Sequence, residues 1–188
     1  MVDFNLLTYL FKELKKQQSN ASPSYLVFAE SLTAGLISSE FSKIPGASAV
    51  LWGGFVVYNT IAKEKLLGVP RTLIEKYGVV SKECALSMAE GALKVSFNEN
   101  AIFPRYSLAV TGVAGPASLY DEARVGTVYI AVAKILNPES YLFPSRYNQK
   151  KFDLSFYSNV ALFSFEGDRN AVREQTLNNG IKMLVDII

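Results

Sequence analysis

The chain has 188 residues, 49% of them apolar and 19% charged, which is enough for one domain with a substantial core. Its 19 basic and 17 acidic side chains leave a net charge of +2, so the sequence carries no broad nucleic-acid footprint. Histidine is absent and cysteine occurs once, as Cys84; this excludes Ser-His-Asp and Cys-His catalysis, an intramolecular disulfide and the commonest zinc ligand.

From the N-terminus, Leu6, Leu7, Leu10, Phe11 and Leu14 recur at helical spacing among charged residues and predict an amphipathic packing helix, not a signal peptide. Tyr25 to Ala29 is a compact apolar run expected to form a buried strand. Ser31-Leu32-Thr33 is expected to open a helix that runs to about Lys43 and is ended by Pro45-Gly46. Ala49 to Tyr58 has strand character, and its Gly53-Gly54 pair predicts a bulge or a close backbone approach, with room for a ligand.

Thr60 to Leu67 reads as a short helix stopped by Gly68, and Pro70 to Tyr77 as another closed at Gly78. Ser81 is placed to cap a long helix from Lys82 to about Phe97. Tyr106 to Thr111 and Val125 to Lys134 are the next strands, strand pairing is expected around Val160 to Phe165, and a last helix starts near Asp168. This order predicts a single layered α/β/α domain, residues 1–188, with a mixed central sheet. No stretch reaches the roughly 18 apolar residues of a membrane span, and a cytoplasmic protein is expected.

Four segments carry candidate chemistry. Glu30-Ser31-Leu32-Thr33-Ala34-Gly35 puts hydroxyls and small residues where a strand hands over to a helix, a place suited to an anion or a developing oxyanion. Equally, Ser31 or Thr33 can be an ordinary helix cap. Ser48 follows the Pro45-Gly46 turn and leads into Gly53-Gly54. Tyr58 and Lys63 are close enough in sequence to face one pocket, where a desolvated lysine can deprotonate a serine and a tyrosine can relay the proton. The bland alternative is a solvated lysine at a helix start. Thr111-Gly112-Val113-Ala114-Gly115-Pro116 follows a strand and offers backbone for a phosphate or ribose, or else simply turns the chain.

Taken together, Ala29-Glu30-Ser31-x-Thr33-x-Gly35, Ile44-Pro45-Gly46-x-Ser48, Gly53-Gly54, Tyr58 to Lys63 with Leu66-Leu67-Gly68-Val69, Gly78-x-Val80-Ser81, Met88-Ala89-Glu90-Gly91-Ala92, Thr111-Gly112-x-Ala114-Gly115-Pro116 and Val125-Gly126-Thr127-Val128 resemble the C-terminal domain of the CinA family. Phe165-x-Gly167-Asp168-Arg169 and Arg173 also fit that pattern, and the matches keep the family's order from Ala29 to Arg173. The resemblance leads us to expect the stand-alone form, without the nucleotide-processing domain of longer members.

The resemblance implies hydrolysis of the carboxamide of nicotinamide mononucleotide to nicotinic acid mononucleotide and ammonia, with no metal or cofactor. It supplies two candidate nucleophiles, Ser31 and Ser48, with Lys63 as base and Tyr58 as its helper. Glu30, Thr33, Ala34, Gly35, Gly53, Gly54, Thr111, Gly112, Ala114 and Gly115 are the implied substrate contacts, with Arg146 or Arg169 as a phosphate partner. The implied partners are a small pyridine nucleotide and further copies of the chain, not a membrane or a nucleic acid.

The chain departs from the family pattern at Ala34, where a second glycine is usual, at Leu32, and in the bulkier stretch from Ala117 to Arg124. These departures admit an alternative, a catalytically silent nucleotide-binding or scaffold protein of the same fold.

Overall fold

The computed structural model describes residues 1–18, 24–97, 104–117, 123–136 and 154–188. Its strands are β1 (Tyr25–Glu30), β2 (Leu51–Val56), β3 (Pro104–Gly112), β4 (Thr127–Ile135) and β5 (Phe156–Ser164). They form one sheet in the order β2-β1-β3-β4-β5. β1 runs parallel to β2 and to β3, whereas β4 is antiparallel to β3 and β5. The helices are α1 (Phe4–Lys16), α2 (Leu36–Ser42), α3 (Thr60–Leu67), α4 (Arg71–Tyr77), α5 (Lys82–Ser96) and α6 (Arg169–Val185). The architecture is the α/β arrangement with a mixed sheet that the order of elements predicts.

Alternation along the strands creates two cores, because successive residues face opposite sides. Leu26, Phe28, Leu108, Val110, Ile130 and Val132 face α1, α2 and α6. Val27, Ala29, Ala109, Ala131 and Ala133 face α3 and α5. On α1 the leucines at 7, 10 and 14 are fully buried, each worth about 2 kcal/mol of transfer free energy. The Asp3 carboxylate accepts the Leu6 amide at 3.1 Å and starts that helix. Gly68 ends α3 in a left-handed conformation (φ 68°), and Ser81 Oγ accepts the Cys84 amide at 3.1 Å to start α5.

Several elements begin away from their expected residues: β2 starts at Leu51 instead of Ala49, β4 at Thr127 instead of Val125 and β5 at Phe156 instead of near Val160, and α2 is displaced most. The helix predicted from Ser31 starts at Leu36, and residues 31–35 form a tight turn in which Ala34 and Gly35 both have positive φ, 49° and 91°. Neither Ser31 nor Thr33 caps the helix. The cap is the buried carboxylate of Glu30, which accepts the amides of Gly35 (3.0 Å), Ile37 (3.0 Å) and Ser38 (2.8 Å) and the Ser38 hydroxyl (2.6 Å). A carboxylate reaching forward from the strand satisfies the first amides of α2 and complements its dipole, so the nearer hydroxyls are not needed there.

The connections place the site. From β1 the chain crosses to β2 through α2, on the face that carries α1 and α6; from β2 it crosses to β3 through α3, α4 and α5, mostly on the other face. β1 is therefore flanked by strands reached from opposite sides of the sheet. The crevice at the carboxyl ends of β1 and β3 is the topological switch point, where open α/β sheets bind ligands.

Candidate active site

A cavity of about 370 Å³ opens at this switch point, within the size range of small-ligand sites. The end of β1 supplies Ser31 and Leu32, the segment after β2 supplies Tyr58, Asn59 and Thr60, and α3 supplies Lys63. Val79 and Val80 come from the turn before α5, residues 111–115 from the end of β3, and Arg169 from the first turn of α6. Five segments distant in sequence, around residues 31–32, 58–63, 79–80, 111–117 and 169, thus converge on one space.

Lys63 is 2% exposed. Its Nζ donates to Ser31 Oγ at 2.9 Å, to the Val57 carbonyl at 2.8 Å and to the Tyr58 carbonyl at 3.2 Å. Three acceptors match the three donors of an ammonium. The same geometry fits the neutral amine, whose two N–H groups go to the carbonyls and whose lone pair then faces the serine hydroxyl. Burial drives the lysine toward that form: desolvation lowers its pKa, opposed only by the nearby Cys84 thiol. Cys84 is itself buried, and desolvation pushes its pKa up to about 11, so it faces Lys63 as a neutral thiol at ordinary pH.

Of the two candidate serines, Ser31 meets the lysine. Ser48 is exposed and lines a separate depression formed by residues 42–53; within this chain it does not line the Lys63 cavity. Tyr58 lies on the cavity rim, 53% exposed, and its hydroxyl accepts from Arg169 at 2.7 Å. The proton relay expected of Tyr58 is not built in this arrangement, because Lys63 contacts that residue through its backbone carbonyl.

Several expected substrate contacts prove to hold the protein together. Glu30 is fully buried with its carboxylate committed to α2. Thr33, Ala34 and Gly35 do not line the cavity; the Thr33 carbonyl accepts from Arg173 at 2.7 Å, and the Gly35 amide is taken by Glu30. Trp52 is skipped in the pairing of β2 with β1, the bulge that the glycine pair predicts. Gly53 lines the separate depression, and a Cβ at Gly54 would collide with Ser38 Oγ. The space at Gly54 is filled by protein, not ligand.

The other half of the cavity keeps the expected loop. Thr111, Gly112, Ala114 and Gly115 line it. Thr111 Oγ1 donates to the Val79 carbonyl at 2.7 Å, tying β3 to the turn before α5. A Cβ at Gly112 would lie 2.5 Å from the Thr127 carbonyl, so this glycine serves the β3–β4 pairing. Among the described residues no acceptor takes the amides of Leu32, Ala114 or Gly115, which leaves them as donors beside the space. Arg169 bridges the two walls, donating to the Gly115 carbonyl at 2.6 Å and to Tyr58. Arg146 lies outside the described residues.

Asn59, Thr60, Val79 and Val80 fall within the motif spans Tyr58 to Lys63 and Gly78 to Ser81 but carry no assigned role there; the sheet order brings them to the cavity. Among the described residues no group of three or more His, Cys, Asp or Glu side chains is placed to hold a metal, and no helix is long and apolar enough to cross a membrane.

Comparison with known proteins identifies the family and the fold. A family model, the CinA C-terminal domain, matches residues 8–188. A CinA-like protein of Fervidobacterium nodosum is 40% identical over 157 residues, 84% of this chain and 32% of its own length. One from Thermosipho melanesiensis is 39% identical over 161 residues, 86% of this chain and 34% of its own. The chain thus spans about a third of the curated relatives it matches. The crystal structure of competence/damage inducible protein CihA from Agrobacterium tumefaciens superposes with a TM-score of 0.77 at 27% identity, covering 100% of this chain and 98% of that one. A CinA superfamily protein from Escherichia coli gives 0.76 at 25% identity, covering 98% and 89%.

Proposed function

The chain belongs to the CinA C-terminal domain family, and from that premise we propose that it is an amidohydrolase acting on the carboxamide of nicotinamide mononucleotide. The observation that carries this reading is the buried Lys63 amine 2.9 Å from Ser31 Oγ, a nucleophile with its base in a chain that has no histidine.

In the first step Ser31 Oγ attacks the amide carbon while Lys63 Nζ takes the hydroxyl proton. The two backbone carbonyls on Lys63 hold its lone pair toward the serine. The Leu32 amide, next to Ser31 and without an acceptor, is the donor proposed for the oxyanion. Lys63 then returns the proton to the departing nitrogen, which leaves as ammonia. Neutral Lys63 then takes a proton from water, which attacks the acyl-serine, and passes that proton to the departing Ser31 Oγ, releasing nicotinic acid mononucleotide with Ser31 and Lys63 restored. The amides of Ala114 and Gly115 and the guanidinium of Arg169, exposed at the rim, are the groups proposed for the phosphate end.

The test is ammonia release from nicotinamide mononucleotide by the purified protein without added metal. Turnover that disappears in Ser31→Ala and Lys63→Ala supports the amidase. Absence of turnover in the parent, together with a raised melting temperature on adding the nucleotide, would instead assign a silent nucleotide-binding protein.

A further inference from the structure

The turn that follows Ser31 is not self-supporting. It contains Ala34 at φ 49°, a left-handed conformation that is strained for an L-residue with a Cβ. It is closed by the Ala34 amide donating to the Ser31 carbonyl at 3.0 Å and by the Leu36 amide donating to the Thr33 carbonyl at 3.1 Å. That same Thr33 carbonyl receives a charge-assisted bond of 2.7 Å from Arg173 Nη2, a residue 140 positions away on α6.

Arg173 is held in turn. Its Nη1 donates to Asn170 Oδ1 at 3.3 Å, while its Nε and the hydroxyl of the fully buried Thr33 have no partner among the described residues. A guanidinium with a buried, unpaired Nε is a costly arrangement. What it obtains there is the one carbonyl that belongs to the peptide unit between Thr33 and Ala34, whose other end donates to Ser31. Guanidinium, peptide and Ser31 carbonyl form a polarised chain in which each bond strengthens the next.

We infer that Arg173 is a positioning residue for the proposed nucleophile, clamping the strained 31–35 turn so that Ser31 Oγ and the Leu32 amide are held in their places relative to Lys63. This rests on the proposed function above, in which Ser31 attacks. Arg173 lines no part of the cavity, so it acts on the rate of the chemical steps and not on ligand affinity. Arg169, one helical turn earlier, holds the Gly115 loop on the opposite side of the cavity, so the start of α6 fixes both loops at once.

The experiment compares Arg173→Met, which keeps the apolar stem, and Arg173→Lys, each with and without Ala34→Gly. Ammonia release from nicotinamide mononucleotide is followed as kcat and KM, and amide hydrogen exchange over residues 31–37 is measured in parallel. Arg173→Met is expected to lower kcat about tenfold with KM within twofold, and Arg173→Lys to fall between it and the parent. Ala34→Gly, which removes the strain the clamp opposes, is expected to restore most of the lost kcat. Exchange at Ala34 and Leu36 is expected to quicken in Arg173→Met and to slow again with Ala34→Gly, while β1 and α5 are unmoved.

A rise in KM with kcat unchanged would make Arg173 a ligand contact and overturn the inference. So would a loss of kcat that Ala34→Gly fails to rescue. If the parent releases no ammonia, the proposed function fails first, and the exchange data alone then decide whether Arg173 clamps the turn: exchange unaltered by Arg173→Met overturns it.

Discussion

Lys63 Nζ lies 2.9 Å from Ser31 Oγ although 32 positions separate the two residues in the chain. Ser31 ends a strand and Lys63 sits one turn into α3, and the strand order is what joins them. Removing either side chain is expected to lower kcat for ammonia release by roughly 1000-fold or more, because nucleophile and base act as a unit. Ser48→Ala should stay within about twofold of the parent, as for an exposed site away from the chemistry. Steady-state assays on the three folded variants decide the assignment, and a dead Ser48→Ala protein with an active Ser31→Ala one would reverse it.

In the proposed mechanism the base acts as the neutral amine, and burial lowers the Lys63 pKa below the ordinary lysine value of 10.5. The profile of kcat/KM should therefore rise with pH and level off at the free-enzyme pKa of Lys63, before 10.5. Lys63→Arg, whose charge cannot be lost in this range, should show no such limb and negligible turnover. A limb still climbing beyond pH 10.5 would point to some other group.

Stability should carry the signature of the same burial. Because the folded pKa of Lys63 is lowered, the unfolded chain binds the proton more tightly, so this residue makes stability rise with pH from its folded value up to 10.5. Cys84 acts in the opposite sense. Its folded pKa is raised from 9.0 to about 11; the unfolded thiol ionises first, and stability falls with pH across that interval. Urea midpoints followed from neutral to alkaline pH in a Cys84→Ala background isolate the lysine's contribution, and adding Lys63→Met should flatten the rise. Parallel curves for the two proteins would count against a desolvated lysine.

Glu30 stands apart from the chemistry, yet four donors converge on its carboxylate. A glutamine there offers one acceptor oxygen and two unwanted donors. Glu30→Gln is expected to destabilise the fold by about 2 kcal/mol and to lower Tm by roughly 4–8 °C. Calorimetry checks this, and a Tm within about 1 °C of the parent would show that the helix start tolerates the loss.

Much of the frame was legible from local signals. Gly68, Gly78 and Ser81 mark helix ends whose cause lies within a few residues, and apolar runs such as Tyr25 to Ala29 mark the strands. The start of α2 was not legible, since a hydroxyl at Ser31 or Thr33 is the usual cap and nothing in the pattern says that Glu30 folds forward over eight positions to replace it. The site divides in the same way. Spacing alone favours a solvated Lys63 at a helix start, and it is the family resemblance that favours a pocket shared with a serine. Asn59, Thr60, Val79 and Val80 lie within motif spans but could not be assigned to the site, because their place in the cavity depends on which strands are neighbours.

Gly54 lines no ligand space and sits in an edge strand, where a side chain would ordinarily be tolerated. Any Cβ there would displace the Ser38 hydroxyl, which would leave Glu30, and Glu30 fixes where the turn behind Ser31 gives way to helix. The mutational reach of the proposed chemistry therefore extends past the cavity wall. A lineage could vary the residues that meet the ligand to change what it processes, while a missing methyl group on a remote strand stayed beyond exchange.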